Sequence, residues 1–133
     1  RDPARLRQEV AAMRQKMLDA HPNRTQLFDL KHDRGGIIDV EFIVQYLVLG
    51  HAHAHEQLTG NIGNLALLKL AARLGLVGEP YAQAAHDAYR RFRQLQHGLR
   101  LQGEQYARVN PATVGGARRA VVQLWEEVMG TKG

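Results

Sequence analysis

The chain has 133 residues, no cysteine, a formal net charge of +5 and only 6% aromatic residues. The length suits one domain with a sizeable core, whereas the lack of cysteine excludes disulfides and thiolate metal sites, and the absence of an apolar run of roughly 20 residues excludes a membrane span. The basic residues are scattered and the aromatic ones are few, so neither nucleic acid nor a membrane is expected as a partner, and a cytoplasmic protein is expected.

The first predicted element is a helix that starts at the N-terminus. Asp2 followed by Pro3 is typical of a helix start, because the carboxylate caps free N–H groups and proline lacks one. Apolar residues then recur at helical spacing, which predicts a buried stripe of Leu6, Val10, Met13 and Met17. The segment 21–23, which contains a proline, ends this helix.

The segment 27–50 has the most unusual composition. Residues 27–31 are extended in character, residues 33–36 are predicted as a turn, and residues 37–50 are apolar on almost every side. A buried strand competes for residues 37–50 because β-branched residues are frequent there. The run is long for a strand, however, and Glu41 with Gln45 makes a helical pair four residues apart, so a central helix is favoured.

Two further helices follow, with boundaries indicated by their flanking residues. The third helix is expected to begin with Asn64 as its cap and to end at Gly75. Pro80 opens the fourth and longest helix, which Gly103 ends. Gly98 is expected to interrupt this long helix.

The last predicted helix carries Trp125 and ends at Gly130. Asn110, ahead of it, could alternatively cap a short preliminary turn that the glycines at 115–116 interrupt. No convincing sheet is predicted. The fold class is therefore all-α, a bundle of about five helices with a nearly all-apolar central helix, the second.

Asp39 and Glu41 are two carboxylates in apolar company. Residues two apart on a helix lie about 200° around its axis, so these side chains cannot converge on one small site. Asp39 falls in the first turn, where the helix dipole favours a negative charge, and Glu41 shares a face with Gln45. The structural alternative is that Asp39 only caps the helix and Glu41 pairs with an arginine from a neighbouring helix.

The Gly35-Gly36 pair precedes this helix. Its N–H groups could bind an anion with help from Lys31 and Arg34, or the pair could form a simple turn; it is too short for a phosphate-loop motif.

Histidines 51, 53 and 55 are the nearest approach to a metal-binding tract, yet no third ligand spacing supports a zinc site, and a solvated turn is favoured. The sequence contains no serine, no arrangement typical of a catalytic triad and no paired carboxylates after a Gly-Ser turn. No catalytic residue and no metal ligand is therefore predicted within this chain.

Residues 28–31, Phe-Asp-Leu-Lys, and residues 35–47, Gly-Gly-Ile-Ile-Asp-Val-Glu-Phe-Ile-Val-Gln-Tyr-Leu, resemble the signature of bacterial glutamine synthetase adenylyltransferases. The signature belongs to the helical domain that follows each nucleotidyltransferase domain of these enzymes. Segments 64–75 and 88–93 and the position of Trp125 extend the resemblance over nearly the whole chain.

The resemblance implies a bifunctional enzyme with two homologous halves. One half removes AMP from a tyrosine of glutamine synthetase by phosphorolysis, and the other attaches AMP from ATP with a divalent metal, while glutamine and the PII signal protein set the balance. The chain is more similar to the C-terminal, adenylylating half. Because it also starts without methionine, residues 1–133 are expected to be one helical domain, a C-terminal fragment of a longer multidomain enzyme.

The resemblance also assigns expected roles to the motif residues. Lys31 and the amides of Gly35 and Gly36 would approach nucleotide phosphates in a cleft shared with the preceding nucleotidyltransferase domain. That domain would bind Mg²⁺, so the fragment alone is expected to be inactive. The matched positions are Lys31, Gly35, Gly36, Asp39, Glu41 and Gln45.

The two carboxylates, Asp39 and Glu41, would orient Lys31 and the local backbone. The alternative function is a noncatalytic interaction bundle of a regulatory protein that docks an acidic partner.

Overall fold

A computed structural model describes residues 2–60 and 62–130. Within these ranges the chain forms five α-helices, two short 3-10 helices at Glu56–Thr59 and Pro111–Thr113, and one pair of two-residue strands. The predicted all-α class is confirmed. The helices are α1 (Pro3–Ala20), α2 (Ile37–His51), α3 (Asn64–Arg73), α4 (Glu79–Leu101) and α5 (Gly115–Met129). In the described ranges no helix combines the length and the apolar character needed to cross a bilayer.

The central position predicted for α2 is confirmed. Helix α2 packs against each of the other four α-helices, and its apolar residues are buried on most sides because the neighbours surround it. Its buried apolar residues are Ile37, Ile38, Val40, Ile43, Val44, Tyr46 and Leu47.

The strand pair corrects the expectation that no sheet forms. Strand β1 (Phe28–Asp29) pairs antiparallel with β2 (Arg108–Val109), and Asp29 lies opposite Arg108. A two-residue strand is too short to show an alternating pattern in the sequence. The pairing fastens the segment before α2 to the segment before α5.

Helix α1 starts as predicted but turns a different face to the core. The Asp2 carboxylate accepts a hydrogen bond from the Ala4 N–H at 3.0 Å, as expected of a cap. Met13, however, is 60% exposed, and its neighbour Arg14 is fully buried. The predicted Met13 position was wrong because Arg14 pairs with Asp39 of α2, and that pairing sets which face of α1 is buried.

Two expectations for α3 and α4 were wrong. The cap of α3 is Gly63, without a side-chain hydrogen bond, and Asn64 is the first helical residue. Helix α4 runs without interruption through Gly98. An interior glycine costs a helix only about 1 kcal/mol, and α4 is stabilised by packing on α3 and α5.

The segment before α5 forms the short turn, capped by Asn110, that was the alternative prediction. The Asn110 side chain accepts a hydrogen bond from the Ala112 N–H at 3.0 Å and caps the short 3-10 turn that precedes α5. Helix α5 itself begins at Gly115, and Trp125 is buried in the core.

Candidate functional site

Residues 28–36, here called the motif loop, are fixed by carboxylates within the loop. Asp29 Oδ1 accepts hydrogen bonds from the backbone N–H groups of Lys31 and His32, at 3.0 and 2.9 Å. Asp33 Oδ2 accepts from the Asp29 N–H at 3.0 Å and from the Asn23 side chain at 2.9 Å. Such local side-chain bonds stabilise a turn in place of helix or strand pairing, so the loop has a defined backbone.

The two glycines of the loop are required by space and by conformation. Gly35 has φ of +84°, and a Cβ there would lie 2.7 Å from the Arg118 Cγ. A Cβ on Gly36 would lie 2.5 Å from the carbonyl oxygen of Leu30. Only glycine avoids both the left-handed strain and these overlaps. Arg118 of α5 also donates a hydrogen bond to the Arg34 carbonyl at 3.0 Å, so α5 covers the loop.

Asp39 binds the loop to α1 through a buried ion pair. The Arg14 Nε donates to Asp39 Oδ1, and both side chains are buried. Arg14 Nη2 also donates to the His32 carbonyl at 2.7 Å, while Asp39 Oδ2 accepts from the Gly35 N–H at 2.7 Å. These bonds compensate part of the hydration that the two charges lose, and Arg14 Nη1 is buried without a hydrogen-bond partner among the described residues. Asp39 therefore fixes the loop backbone through Arg14 and Gly35, without contacting the Lys31 side chain.

Glu41 makes its contact on a different side of α2 from Asp39. Its carboxylate accepts a hydrogen bond from the Tyr89 hydroxyl of α4 at 3.0 Å. Burial raises the pKa of Tyr89 above its ordinary value, although the hydrogen bond with Asn64 acts in the opposite sense. Among the described residues the hydrogen-bond partner of Glu41 is thus a tyrosine, in place of Gln45 or the arginine of the structural alternative. Asp39 and Glu41 do face different elements, as helical geometry predicted.

The glycine amides are engaged inside the loop. The Gly35 N–H donates to Asp39, and the Gly36 N–H donates to the Asp33 carbonyl at 3.0 Å. This bonding is at odds with the predicted contact of both amides with a phosphate, because each donor already has an acceptor. The turn alternative describes the pair better. Sequence spacing could not show which acceptors fold back onto these amides.

Lys31 is exposed and lies beside a cavity of about 460 Å³, here called the loop cavity. The cavity lies between the end of α1, the motif loop, the last turn of α4 and the segment that leads to β2. Glu41 and Gln45 do not line it. The side chains that give it chemical character are His21, Lys31, His32, Arg100, Tyr106 and Arg108.

Two flat groupings occur among the lining residues. The rings of His21 and His32 stack with centroids 4.1 Å apart and an angle of 7° between their planes. The Arg108 guanidinium lies 4.0 Å from the centre of the Tyr106 ring and donates from Nε to Asp29 Oδ2 at 3.3 Å. Burial, followed by the neighbouring His21, lowers the pKa of His32 below its ordinary value. A neutral His32 ring suits the stacked pair.

Comparisons with known proteins identify the family of this chain. The model of the family described as GlnD PII-uridylyltransferase matches residues 5–111. The chain belongs to this family.

Curated relatives agree with the resemblance found in residues 28–47. The chain is 57% identical to a bifunctional glutamine synthetase adenylyltransferase/adenylyl-removing enzyme of Nitrosomonas europaea, over 98% of this chain and 16% of that protein. Proteins of the same description match from Bordetella bronchiseptica, at 54% identity over 97% of the chain, and from Chromobacterium violaceum, at 50% over 96%. The predicted resemblance to the adenylyltransferases is confirmed. The chain spans 14–16% of the length of these relatives.

Metal-binding side chains are not clustered in the part of this family member that the structure describes. No group of three or more His, Asp or Glu side chains lies close enough to hold an ion, within residues 2–60 and 62–130. His51 belongs to the last turn of α2, and His53 is exposed in the turn that follows.

Sequence reasoning missed most of the loop cavity. It named Lys31, but not the roles of His21, His32, Arg100, Tyr106 or Arg108. These side chains come from three separate segments, around residue 21, around residue 32 and over residues 100–108, and no known motif connects them. One signal was present: Arg108 lies opposite Asp29 across a strand pair that would have to be recognised first.

Proposed function

We propose that this chain is the helical domain of an enzyme that attaches AMP from ATP to a tyrosine of glutamine synthetase, as part of the C-terminal, adenylylating half. Identity of 50–57% to adenylyltransferase/adenylyl-removing enzymes over nearly the whole chain supports this assignment. The chain is a small share of those proteins, so we assign Mg²⁺ and the catalytic carboxylates to a preceding nucleotidyltransferase domain. We also propose that the full enzyme lies in the cytoplasm and is regulated by the PII signal protein and by glutamine.

This domain contributes the ammonium group of Lys31, whose backbone is fixed by hydrogen bonds. The Lys31 N–H donates to Asp29, and the Lys31 carbonyl accepts from the Ile38 N–H at 3.1 Å, while the side chain is exposed beside the loop cavity. A positioned ammonium group stabilises phosphate charge most when its backbone does not have to reorganise. This combination of a fixed backbone and an accessible ammonium group is the observation that carries the proposal.

The other motif residues act as supports for Lys31. Asp39, with Arg14, holds the loop against α1 and α2, and Gly35 and Gly36 allow the tight backbone path. Glu41 fastens α2 to α4 through Tyr89. Gln45 is exposed one turn further along α2, and no role is assigned to it.

The test is Lys31→Gln in the complete enzyme, with adenylylation of glutamine synthetase as the readout. Loss of a charge-assisted phosphate contact should reduce kcat/KM for ATP by about tenfold or more. Lys69→Gln, at an exposed lysine of α3, is the matched control and should leave the kinetics unchanged. Unchanged kinetics for K31Q would show that Lys31 does not contact the nucleotide. Unchanged kinetics is also the result expected if the chain is a noncatalytic interaction bundle that docks an acidic partner.

A further inference from the structure

The loop cavity combines flat surfaces with cations. The stacked His21–His32 pair and the Tyr106 ring with its guanidinium supply planar surfaces. Lys31 and Arg100 supply positive charge, and neither forms an ion pair with another described residue. The volume of about 460 Å³ is within the range that encloses small organic ligands, about 300–1,000 Å³.

The charges on the cavity wall favour an anion. The positive charge of Arg108 is balanced by Asp29, at 3.3 Å. Of the remaining lining side chains, Lys31 and Arg100 are cationic and Glu104 is anionic. An anion could therefore contact two cations in the cavity while the Asp29–Arg108 pair stays intact.

Tyr106 and Arg100 contribute little to the stability of the fold. The Tyr106 side chain is 53% exposed, and Arg100 is exposed in the last turn of α4. An exposed aromatic ring adds little to the hydrophobic core. Arg100 also complements the dipole of α4, and this role does not depend on a ligand. A measurement of ligand binding separates the two roles of Arg100.

We propose that the loop cavity binds a nucleoside phosphate, with the base against Tyr106 and the phosphates at Lys31 and Arg100. An aromatic side chain can stack on any planar base. Arginine and lysine both bind phosphate oxygens well. The proposal deepens the function proposed above and rests on it for the choice of adenine as the base.

The first experiment titrates this chain with AMP, ATP, adenosine and inorganic phosphate. Kd is measured by calorimetry, and backbone amide NMR signals of Lys31, Gly103 and Tyr106 report the location. AMP and ATP should shift these signals, and adenosine and phosphate should each bind at least about fivefold more weakly, because each lacks one half of the contacts. No shift with AMP or ATP would overturn the proposal. Equal affinity for phosphate and AMP would overturn the role of the planar surface.

Variants then test the two side chains separately. Arg100→Gln should weaken AMP binding about fivefold or more, and Tyr106→Leu should do so while leaving the affinity for phosphate unchanged. Arg91→Gln is the control, since Arg91 is exposed on the same helix but nine residues, or two and a half turns, from Arg100. AMP affinity in R100Q equal to that in R91Q would contradict the proposed contact. Circular dichroism checks that all variants keep their helices.

The two proposals can fail independently. Nucleotide binding that depends on Arg100, together with unchanged adenylylation in K31Q enzyme, would leave the cavity as a nucleotide site and reject the function proposed for Lys31. Reduced adenylylation in K31Q, with no nucleotide binding to this chain, would keep the role of Lys31 and reject the loop cavity as the binding site.

Discussion

The two ends of α2 are both rich in polar residues, yet they are built very differently. At the N-terminal end, side chains of Asp29, Asp33 and Asp39 bind backbone groups of the motif loop, and Arg14 reaches in from α1. At the C-terminal end, the turn with His53 is held by local backbone bonds, and the Thr59 hydroxyl binds the Glu56 carbonyl nearby. The N-terminal end differs because Arg14, Arg108 and Arg118 also connect its loop to segments that are distant in sequence.

The largest difference between the two ends should appear when the buried ion pair is broken. Asp39→Ala leaves the Arg14 charge buried without its partner, so the free energy of unfolding should fall by about 3–5 kcal/mol. Urea denaturation followed by circular dichroism measures it. Glu127→Ala, at an exposed carboxylate of α5, is the control and should change stability by less than about 0.5 kcal/mol. A loss below about 1 kcal/mol for D39A would mean that the pair does not hold this end.

Glycine substitutions should act in opposite directions inside and outside the loop. Gly36→Ala places a Cβ 2.5 Å from the Leu30 carbonyl oxygen and should destabilise the fold by about 1–3 kcal/mol. Gly98→Ala is the matched control, because its Cβ would meet nothing within 4 Å in the interior of α4, and it should stabilise by about 0.5–1 kcal/mol. Thermal and urea unfolding report both signs. Equal effects would show that the loop is not tightly packed at Gly36.

Loss of one hydrogen bond should have a smaller effect. Tyr89→Phe removes the donor to the half-buried Glu41 carboxylate and should cost about 1 kcal/mol. A double-mutant cycle with Glu41→Gln measures the coupling between the two side chains. A coupling energy of zero would indicate that the contact does not fasten α2 to α4.

The pH dependence of stability tests His32, which faces His21, Asp29, Lys31 and Arg14. Its pKa is lower in the folded chain than the ordinary value of 6.5, so the unfolded chain binds a proton first as the pH falls. The free energy of unfolding should therefore decline below about pH 6.5. Between about pH 7.5 and 5.5, Tm should fall less in His32→Gln than in the unmodified chain.

His97→Gln, at an exposed histidine of α4, serves as the control for the loss of a histidine elsewhere. Identical Tm profiles in H32Q and H97Q would remove His32 as the cause.

The smallest effect is expected at the C-terminal end of α2. His53→Gln alters an exposed turn residue and should change stability by less than about 0.5 kcal/mol. Added Zn²⁺ should not raise the Tm of the unmodified chain, since a metal that binds the folded state would stabilise it. A zinc-dependent rise that H53Q abolishes would contradict the solvated-turn interpretation.

Much of the fold could be predicted because caps and periodicity are local signals. The Asp2 cap, the central helix and the separation of Asp39 from Glu41 all follow from residues within a few positions of one another. The burial of Arg14 in place of Met13 does not, because an apolar count ignores a long-range ion pair.

The candidate site was harder to predict for the same reason. Lys31 was named from its charge near the glycine pair and from a resemblance, whereas Arg100 and Tyr106 reach the loop cavity only after α4 and the strand pair are placed. The acceptors of the two glycine amides also fold back from nearby carboxylate and carbonyl groups that no motif specifies.

The hydrogen bonds of Arg14 couple the position of α1 to that of the motif loop. Arg14 binds the Asp39 side chain and the His32 carbonyl together, one residue beyond Lys31. It lies eleven residues, or about 16 Å, along the helix from Pro3. The position of the backbone next to Lys31 therefore depends on where α1 packs.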